Sequence, residues 1–369
     1  MSESVFRFCD DLGPARIVHI YRPVTGLKAI VVVDNAAAGP AIGGVRMAPD
    51  VSLEECVRLA RAMTFKNAAA GLPHGGGKAV LFGDPATDPE RKEELVRAFA
   101  CAVGPIVDYI VGPDMGTDET AMAWVKDEIG RAVGLPPELG GIPLDEIGAT
   151  GFGLLAAADV AKDYAKLDLD GATVAVQGFG AVGKHAARFF AERGTVLVAA
   201  ADSSGTVHDP AGLNVAKLVA VKNEGGHLVD AGIGRVLDRD AIVGIECDIW
   251  IPAARPDVIN ADNVDELKTK LVVQGANIGV TEEAEARLYE RGVVSIPDFI
   301  SNAGGVICAA VEYEGGSQTE AFAIIDEKIR ANTAEVFEHS SDEGISPRSA
   351  AIAMTESRIR TAMSLRRWS

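Results

Sequence analysis

Apolar positions along the chain fall into short β-branched runs separated by stretches with helical spacing. Ile17–Tyr21 and Ala29–Val33 read as strands, the second rich in β-branched residues. A Gly-rich turn follows at Gly39-Pro40-Ala41-Ile42-Gly43-Gly44. Ser52 to Ala70 reads as a helix, with Ser52 as N-cap and Glu55 at the capping-box position. Gly75-Gly76-Gly77 leads into Lys78 and a strand, Ala79–Phe82. A helix at about 89–103 and a strand at Asp108–Val111 come next, then the turn Gly112-Pro113-Asp114. The first 130 residues or so therefore alternate strand and helix, as an α/β layer does.

The stretch 133–148 is rich in Gly and Pro and marks a domain boundary. Beyond it a helix runs from about 149 to 165, followed by strand Thr173–Gln177, a Gly-rich turn and a helix to about 193. Strand Val196–Ala201 ends at Asp202. Strands Asp248–Ile251 and Leu271–Gln274, a helix at 281–291 and strand Val293–Ile296 complete the pattern. Strands separated by helices predict a doubly wound parallel sheet. The tail from about 318 to 369 reads as two helices, and no internal repeat or low-complexity segment interrupts the chain.

Charge narrows the functional classes. Lysine plus arginine is 35 and aspartate plus glutamate 53, a net charge of −18. A field of that sign repels phosphate backbones and argues against a nucleic-acid partner. No apolar run approaches the roughly 20 residues that span a bilayer, so no membrane role is expected. Met1–Asp10 has neither the basic nor the apolar region of a secretory signal. The five cysteines (Cys9, Cys56, Cys101, Cys247, Cys308) are odd in number, and no pair has metal-ligand spacing. Neither a disulfide framework nor a metal site is expected, and a reducing cytoplasm fits. Glycine is abundant, 40 of 369 residues against a background of about 7%, which implies tight turns and close backbone approaches.

Gly178-Phe179-Gly180-Ala181-Val182-Gly183 is a GxGxxG match in its full context. It follows a strand and opens a helix whose Val182, Ala186, Phe189 and Phe190 share a face. An acid, Asp202, ends the next strand, 19 residues past Gly183. Gly178 makes the turn, Gly180 admits a pyrophosphate and Gly183 lets helix and strand pack closely. The pyrophosphate sits at the helix N-terminus. Asp202 accepts from a ribose 2′-hydroxyl and repels a 2′-phosphate, which favours NAD over NADP. The alternative is a Gly-rich turn in an α/β fold that binds no nucleotide.

Lys66 and Lys78 flank a loop of small residues, Asn67 to Gly77. A lysine in such a pocket, near a second lysine, loses proton affinity through desolvation and like-charge repulsion. It then serves as a general base, while the other lysine stays charged and holds a carboxylate. The alternative is two solvated lysines beside a flexible loop. Asp114 lies at a strand end, where ligand groups collect in α/β layers; the alternative is an Asx turn or helix N-cap.

Taken together these segments resemble the glutamate/leucine/phenylalanine/valine dehydrogenase superfamily over nearly the whole length. The match rests on Gly39–Met47 (GPAIGGVRM), Met63–Lys78 (MTFKNAAAGLPHGGGK), Gly112–Thr117 (GPDMGT), Gly178–Gly183 with Asp202, Gln274–Asn277 (QGAN) and Pro297–Val306 (PDFISNAGGV). The resemblance implies that Lys66 holds the substrate α-carboxylate, that Lys78 activates water, and that Asp114 exchanges protons with the amino group. It implies that Gly43 and Gly44 line the substrate site. Thr150 is implied to lie near the nicotinamide, and Asn277 near substrate and cofactor ribose. The implied reaction is reversible NAD-dependent oxidative deamination of an L-amino acid to the 2-oxo acid and ammonia, in a homo-oligomer. The implied order is a substrate and oligomerisation domain at 1–140, a Rossmann-type nucleotide domain at 141–325, and C-terminal helices at 326–369 packing on the first domain. A cleft between the domains is implied to close on substrate.

Two positions bear on the substrate side chain. Glutamate-specific members resembling this chain carry a lysine where Ile42 stands, and a serine where Ala309 stands, seven residues after Asn302. Without those partners a buried γ-carboxylate would cost several kcal/mol, so an apolar leucine, valine or phenylalanine side chain is expected. Gly112 and Ala309 are small and would leave room for it. Met122-Ala123-Trp124, Ala201–Gly205 and Asp248–Ala254 instead look closer to the glutamate branch. His74 stands where relatives carry an apolar residue; it either touches the site or is a hydrogen-bonded structural histidine. The competing readings are a glutamate dehydrogenase with a rebuilt pocket and a nucleotide-binding paralogue that is not an enzyme.

Overall fold

The computed structural model describes residues 6–367. The first five residues of the segment read for a targeting signal, and the last two of the tail read as helix, lie outside them. In chain order the first elements are β1 (Arg16–Arg22), β2 (Leu27–Asn35), β3 (Ala41–Ala48), α1 (Leu53–Ala69), β4 (Gly75–Phe82), α2 (Pro89–Val103), β5 (Tyr109–Pro113) and α3 (Glu119–Ile129). Then come α4 (Leu144–Ile147), α5 (Ala149–Tyr164), β6 (Thr173–Gln177), α6 (Ala181–Glu192), β7 (Val196–Asp202), β8 (Gly205–His208), α7 (Val215–Asn223) and β9 (Arg235–Leu237). The last are β10 (Ile249–Pro252), β11 (Leu271–Val273), α8 (Glu282–Glu290), β12 (Val294–Ile296), α9 (Asp298–Ser301), α10 (Gly304–Tyr313), α11 (Gln318–Glu343) and α12 (Pro347–Ser364). They form two compact units. Among the described residues the first takes 6–143, 306–321 and 353–367; the second takes 144–305 and 322–352.

The first unit is built on a five-stranded sheet of order β1-β2-β4-β3-β5. β2 runs antiparallel to both β1 and β4, whereas β3 is parallel to both β4 and β5. β2 is apolar on both faces because both are covered. Ile30 and Val32 pack with Cys56 and Ala60 of α1, while Ala29, Val31 and Val33 pack with Phe99 of α2 and Met122 of α3. The Gly-rich segment expected to be a turn holds β3. Its Gly43 has no room for a side chain, since a Cβ there would lie 1.7 Å from the Gly77 carbonyl oxygen of β4. Ser52 caps α1, accepting from the Glu55 N–H at 3.1 Å. The reciprocal half of the capping box is not made, because the Glu55 carboxylate pairs with Arg46.

The second unit carries a seven-stranded sheet of order β12-β11-β10-β6-β7-β8-β9. β12, β11, β10, β6 and β7 are parallel, as the strand and helix alternation predicts. β8 and β9 are antiparallel additions at one edge and were not anticipated: Asp202-Ser203-Ser204-Gly205 turns the chain straight back, so no crossover helix follows β7. The strand order reverses between β6 and β10, a switch point where ligands bind in such sheets. Trp250 is fully buried beneath this sheet, and its indole N–H donates to Ile242 O at 3.3 Å. No described helix is long and apolar enough to cross a membrane.

Candidate active site

In the first unit β4, β3 and β5 lie side by side and bring Lys78, Gly44 and Asp114 together. Lys78 stands on the central strand, its side chain only 8% exposed. Its ammonium lies 2.7 Å from Asp114 Oδ2. Arg46 follows Gly44 by two residues, which puts both on one face of β3. Its Nε donates to the same Asp114 oxygen at 2.9 Å, and its Nη1 pairs with Glu55. Burial pushes the Asp114 carboxyl up, but Lys78 and Arg46 outweigh it and hold it below the usual carboxylate range. Asp114 is also fixed by its backbone: its N–H donates to Thr117 Oγ1 at 3.0 Å, and that hydroxyl donates to Val45 O at 2.8 Å. Thr117 thereby locks the turn, so the Asx-turn alternative for Asp114 does not describe this carboxylate. Neither do the flexible-loop terms describe Lys78, whose glycines lie within β4. What faces the ammonium is a carboxylate.

The other residues expected here are placed as follows. Lys66 is half-buried in the last turn of α1. Gly43 and Gly44 lie in β3 beside Val111 and Gly112 of β5. Ile42 is buried in β3 beside Gly76 and Ile110. Gly112 packs closely, since a Cβ there would lie 3.2 Å from the Val133 side chain; it is small for packing and not only for an open pocket. Ala309 is buried on α10, a helix the sequence pattern did not show. One turn later Glu312 accepts from the N–H groups of Leu135 and Ile142 at 3.1 and 2.9 Å, and Tyr313 meets the His74 ring edge-on at 5.9 Å. His74 is buried, its Nδ1 3.1 Å from Pro40 O and its Nε2 without a partner. Burial pushes this imidazole below its usual range, which keeps it neutral.

In the second unit a cleft of about 330 Å³ opens at the carboxyl ends of β6, β7 and β10. Gln177 to Gly180, Ala201 to Ser203, Arg239 and Ala253 to Arg255 line it. Gly178 and Gly183 meet close backbone contacts, and Gly180 does not. A Cβ on Gly183 would lie 1.8 Å from Gly178 O, whereas Gly180 faces open space. Gly180 also caps α6 without any side-chain hydrogen bond, so the first N–H groups of Ala181 and Val182 have no side-chain acceptor there. The Phe179 side chain points into the core and is fully buried. The buried Gln177 Oε1 has no partner. An open cradle, a helix N-terminus and an unused acceptor fit a dinucleotide pyrophosphate and ribose.

Asp202 sits at this cleft but is heavily engaged. Oδ1 accepts from the Ser204 N–H at 2.9 Å and its hydroxyl at 2.5 Å; Oδ2 accepts from Lys222 Nζ at 2.9 Å and the Leu228 N–H at 3.0 Å. Burial opposes ionisation, yet these donors take the carboxyl down to about 2. The sequence reading of a carboxylate awaiting a 2′-hydroxyl missed Lys222, which stands 20 residues downstream on another helix.

Thr150 opens α5, its hydroxyl oxygen against Gly305. Asn277 lies in the turn after β11, where Asn302 Nδ2 donates to its Oδ1 at 3.0 Å. The next residue, Ile278, has φ +53, a left-handed conformation that is strained for a β-branched residue. Such a residue costs about 1–3 kcal/mol and persists only where its surroundings hold it, most often at functional sites. Among the described residues no cluster of three His, Cys, Asp or Glu side chains is placed to hold a metal.

Comparison with known proteins bears on the family and the fold. The Glutamate/Leucine/Phenylalanine/Valine dehydrogenase family matches residues 140–367, and the Glu/Leu/Phe/Val dehydrogenase dimerisation domain matches residues 14–131. The NADP(+)-dependent glutamate dehydrogenase of Pyrobaculum calidifontis is 37% identical over 388 residues, covering 96% of this chain and 92% of its own. The crystal structure of a hetero-hexameric glutamate dehydrogenase from Thermus thermophilus, in a Leu-bound form, superposes with TM-score 0.84 at 31% identity, covering 95% of this chain and 90% of that one. That of L-tryptophan dehydrogenase from Nostoc punctiforme gives 0.77 at 25% identity, covering 98% and 100%. The paired Lys78 and Asp114, the glycine-framed nucleotide cleft and these matches over both units lead to one conclusion: the chain belongs to the Glu/Leu/Phe/Val dehydrogenase family of nicotinamide-dependent amino-acid dehydrogenases.

Proposed function

We propose that this chain catalyses the reversible oxidative deamination of an apolar L-amino acid, of leucine, valine or phenylalanine type, to its 2-oxo acid and ammonia, with NAD as cofactor. The ion pair of Lys78 and Asp114 carries the reading. An amino acid arrives as an ammonium and must become a free amine before its Cα loses a hydride. Asp114, held ionised by Lys78 and Arg46, is the acceptor for that proton. Lys66, at the end of α1, holds the α-carboxylate and fixes the orientation of Cα. Lys78, as the free amine, takes a proton from the water that attacks the resulting iminium carbon, and the ammonium so formed stabilises the oxygen that develops there. Asp114 then returns a proton to the departing amine. The cofactor, when bound, supplies the hydride acceptor; Gly178–Gly183 and the start of α6 hold its pyrophosphate, with Asp202 at the adenine ribose and Thr150 and Asn277 toward the nicotinamide.

Ile42 and Ala309 support the apolar side chain, since neither offers a charge or a donor to a distal carboxylate. The second reading, glutamate as substrate, is favoured by the names of the relatives. NADP as cofactor has its own observation, the Lys222 ammonium beside Asp202, which suits a 2′-phosphate. A homo-oligomer formed through the first unit and a cytoplasmic location complete the proposal. Initial rates of NAD reduction at alkaline pH with leucine, valine, phenylalanine, tryptophan and glutamate test it. Turnover of an apolar amino acid with none for glutamate is expected. A preference for glutamate overturns the reading of Ile42 and Ala309.

A further inference from the structure

We propose that Arg348, remote in sequence from every motif above, is a positioning residue for the turn that carries Asn277; this rests on reading Asn277 as a cofactor-side residue. Arg348 is the second residue of α12, set there by Pro347 and by Ser346, whose hydroxyl accepts from the Ser349 N–H at 3.2 Å. A cation at a helix N-terminus is unfavourable on its own. Here it is neutralised by two buried carboxylates, Glu285 and Asp298, whose side chains are 6% and 9% exposed. Arg348 Nη2 lies 2.8 Å from Asp298 Oδ1 and 3.0 Å from Glu285 Oε1, and its Nε pairs with Glu285 Oε2.

Each carboxylate holds one end of the turn. Asp298 Oδ2 accepts from the N–H of the strained Ile278 at 2.9 Å. Glu285 Oε1 accepts from Gln274 Nε2, which opens the turn. Ser301 and Asn302 hold what lies between: the Ser301 hydroxyl donates to Gln274 O at 2.6 Å, and Asn302 Nδ2 reaches Gly275 O at 3.3 Å and Asn277 Oδ1 at 3.0 Å. The inner side of Gly275 packs against Val182, in the motif helix α6. Both ends of the turn are therefore tied, through two carboxylates, to one forked guanidinium. A fork satisfies both acids at once, which a lysine point charge does not. Without Arg348 the two buried acids face each other with no counter-charge, and the Ile278 N–H loses a fixed acceptor.

The test uses the full-length protein with Arg348→Lys, Arg348→Gln, Asn277→Ala and the Arg348→Lys/Asn277→Ala double variant. NADH affinity is read by fluorescence titration, and kcat and KM are read separately for nucleotide and amino acid. Arg348→Lys is expected to weaken NADH binding and kcat/KM for the nucleotide by roughly tenfold, Arg348→Gln by more, with the amino-acid KM nearly unchanged. In the Asn277→Ala background Arg348→Lys should add nothing, because both act through one turn. Independent, multiplying effects overturn the proposal, as does a loss of melting temperature with NADH affinity intact. If wild-type protein oxidises no amino acid yet NADH affinity still follows this pattern, the proposed function fails and the positioning role stands.

Discussion

The Lys78 ammonium and the Asp114 carboxylate meet at 2.7 Å beside Gly44, a residue whose missing side chain leaves them the room. A Cβ at position 44 would stand 2.8 Å from the Asp114 Cβ and 3.3 Å from Lys78 Nζ. The pair thus depends on a glycine in the strand between them, on the register of β3 and β4, and on the turn after β5 that Thr117 locks.

Replacing Lys78 with alanine should lower kcat by about 10²–10⁴, the range lost when a positioned acid–base group is removed. The nucleotide site lies in the second compact unit, so NADH affinity should not change. Initial rates and NADH titration on the same preparation check both halves. Near-normal turnover in the variant would sink the role given to Lys78.

Arg46 should set the acid limit of activity. Asp114 must be ionised to accept a proton, so kcat/KM for deamination falls as pH drops through its pKa. Burial pushes that pKa up, while Lys78 and Arg46 pull it down. Arg46→Gln removes one of the two opposing charges, and the acid limb of the pH profile should move to higher pH. The stability sign is the same: a depressed carboxyl stabilises above its unfolded pKa, and that contribution is lost as pH falls through the folded value. An acid limb that stays in place would show that another group titrates there.

The nucleotide site was legible because its chemistry is local. Strand, three glycines, helix and acid lie within about 30 residues; Gly178 and Gly183 each answer to a close contact, and Gly180 is left open. The first sheet was harder to read. β3 looks like a turn because Gly43 and Gly44 are needed for the close approach of β4 and β5, so backbone contact replaced the side-chain alternation that marks a strand. α10 begins at Gly304 and Gly305, which signal a turn, yet a Cβ on Gly304 would lie 2.2 Å from Ala149 O. Long-range partners carried no local signal. Arg46 reaches Asp114 across 68 residues, and Arg348 reaches Asp298 across 50. Such pairs are fixed by topology, which the pattern of one segment does not contain.

Substrate choice should follow Ile42 and Ala309. Introducing Ile42→Lys with Ala309→Ser supplies a cation and a hydroxyl for a distal carboxylate. Glutamate turnover should rise and leucine turnover fall, shifting their ratio of kcat/KM by about 10²-fold, as expected for a charge-assisted contact of about 1.5–3 kcal/mol with a new polar penalty for leucine. Ile42 is buried, so the single lysine variant is also expected to lose stability. A melting curve on each variant separates the two effects. An unchanged ratio in a folded double variant would remove both residues from the side-chain pocket.

Cofactor choice should turn on Asp202, a carboxylate with four donors. Ser204, Lys222 and the Leu228 N–H hold the Asp202 carboxyl down at about 2, so it is anionic at neutral pH. Its charge repels a 2′-phosphate, but its partner Lys222 would attract one. Which wins depends on whether the lysine is already neutralised, and at 2.9 Å it is. Wild-type protein should therefore favour NAD. Asp202→Asn keeps the size and one acceptor, removes the negative charge and releases the ammonium. NADP should then gain at least about tenfold in kcat/KM relative to NAD, the size of one charge-assisted hydrogen bond. Lys222→Met in the same background should cancel that gain, because the attracting charge is gone. Rates with both nucleotides across the three proteins decide it. If Asp202→Asn leaves the ratio unchanged, Asp202 does not discriminate; if wild-type protein already prefers NADP, the Lys222 charge outweighs its partner and the NAD assignment is wrong.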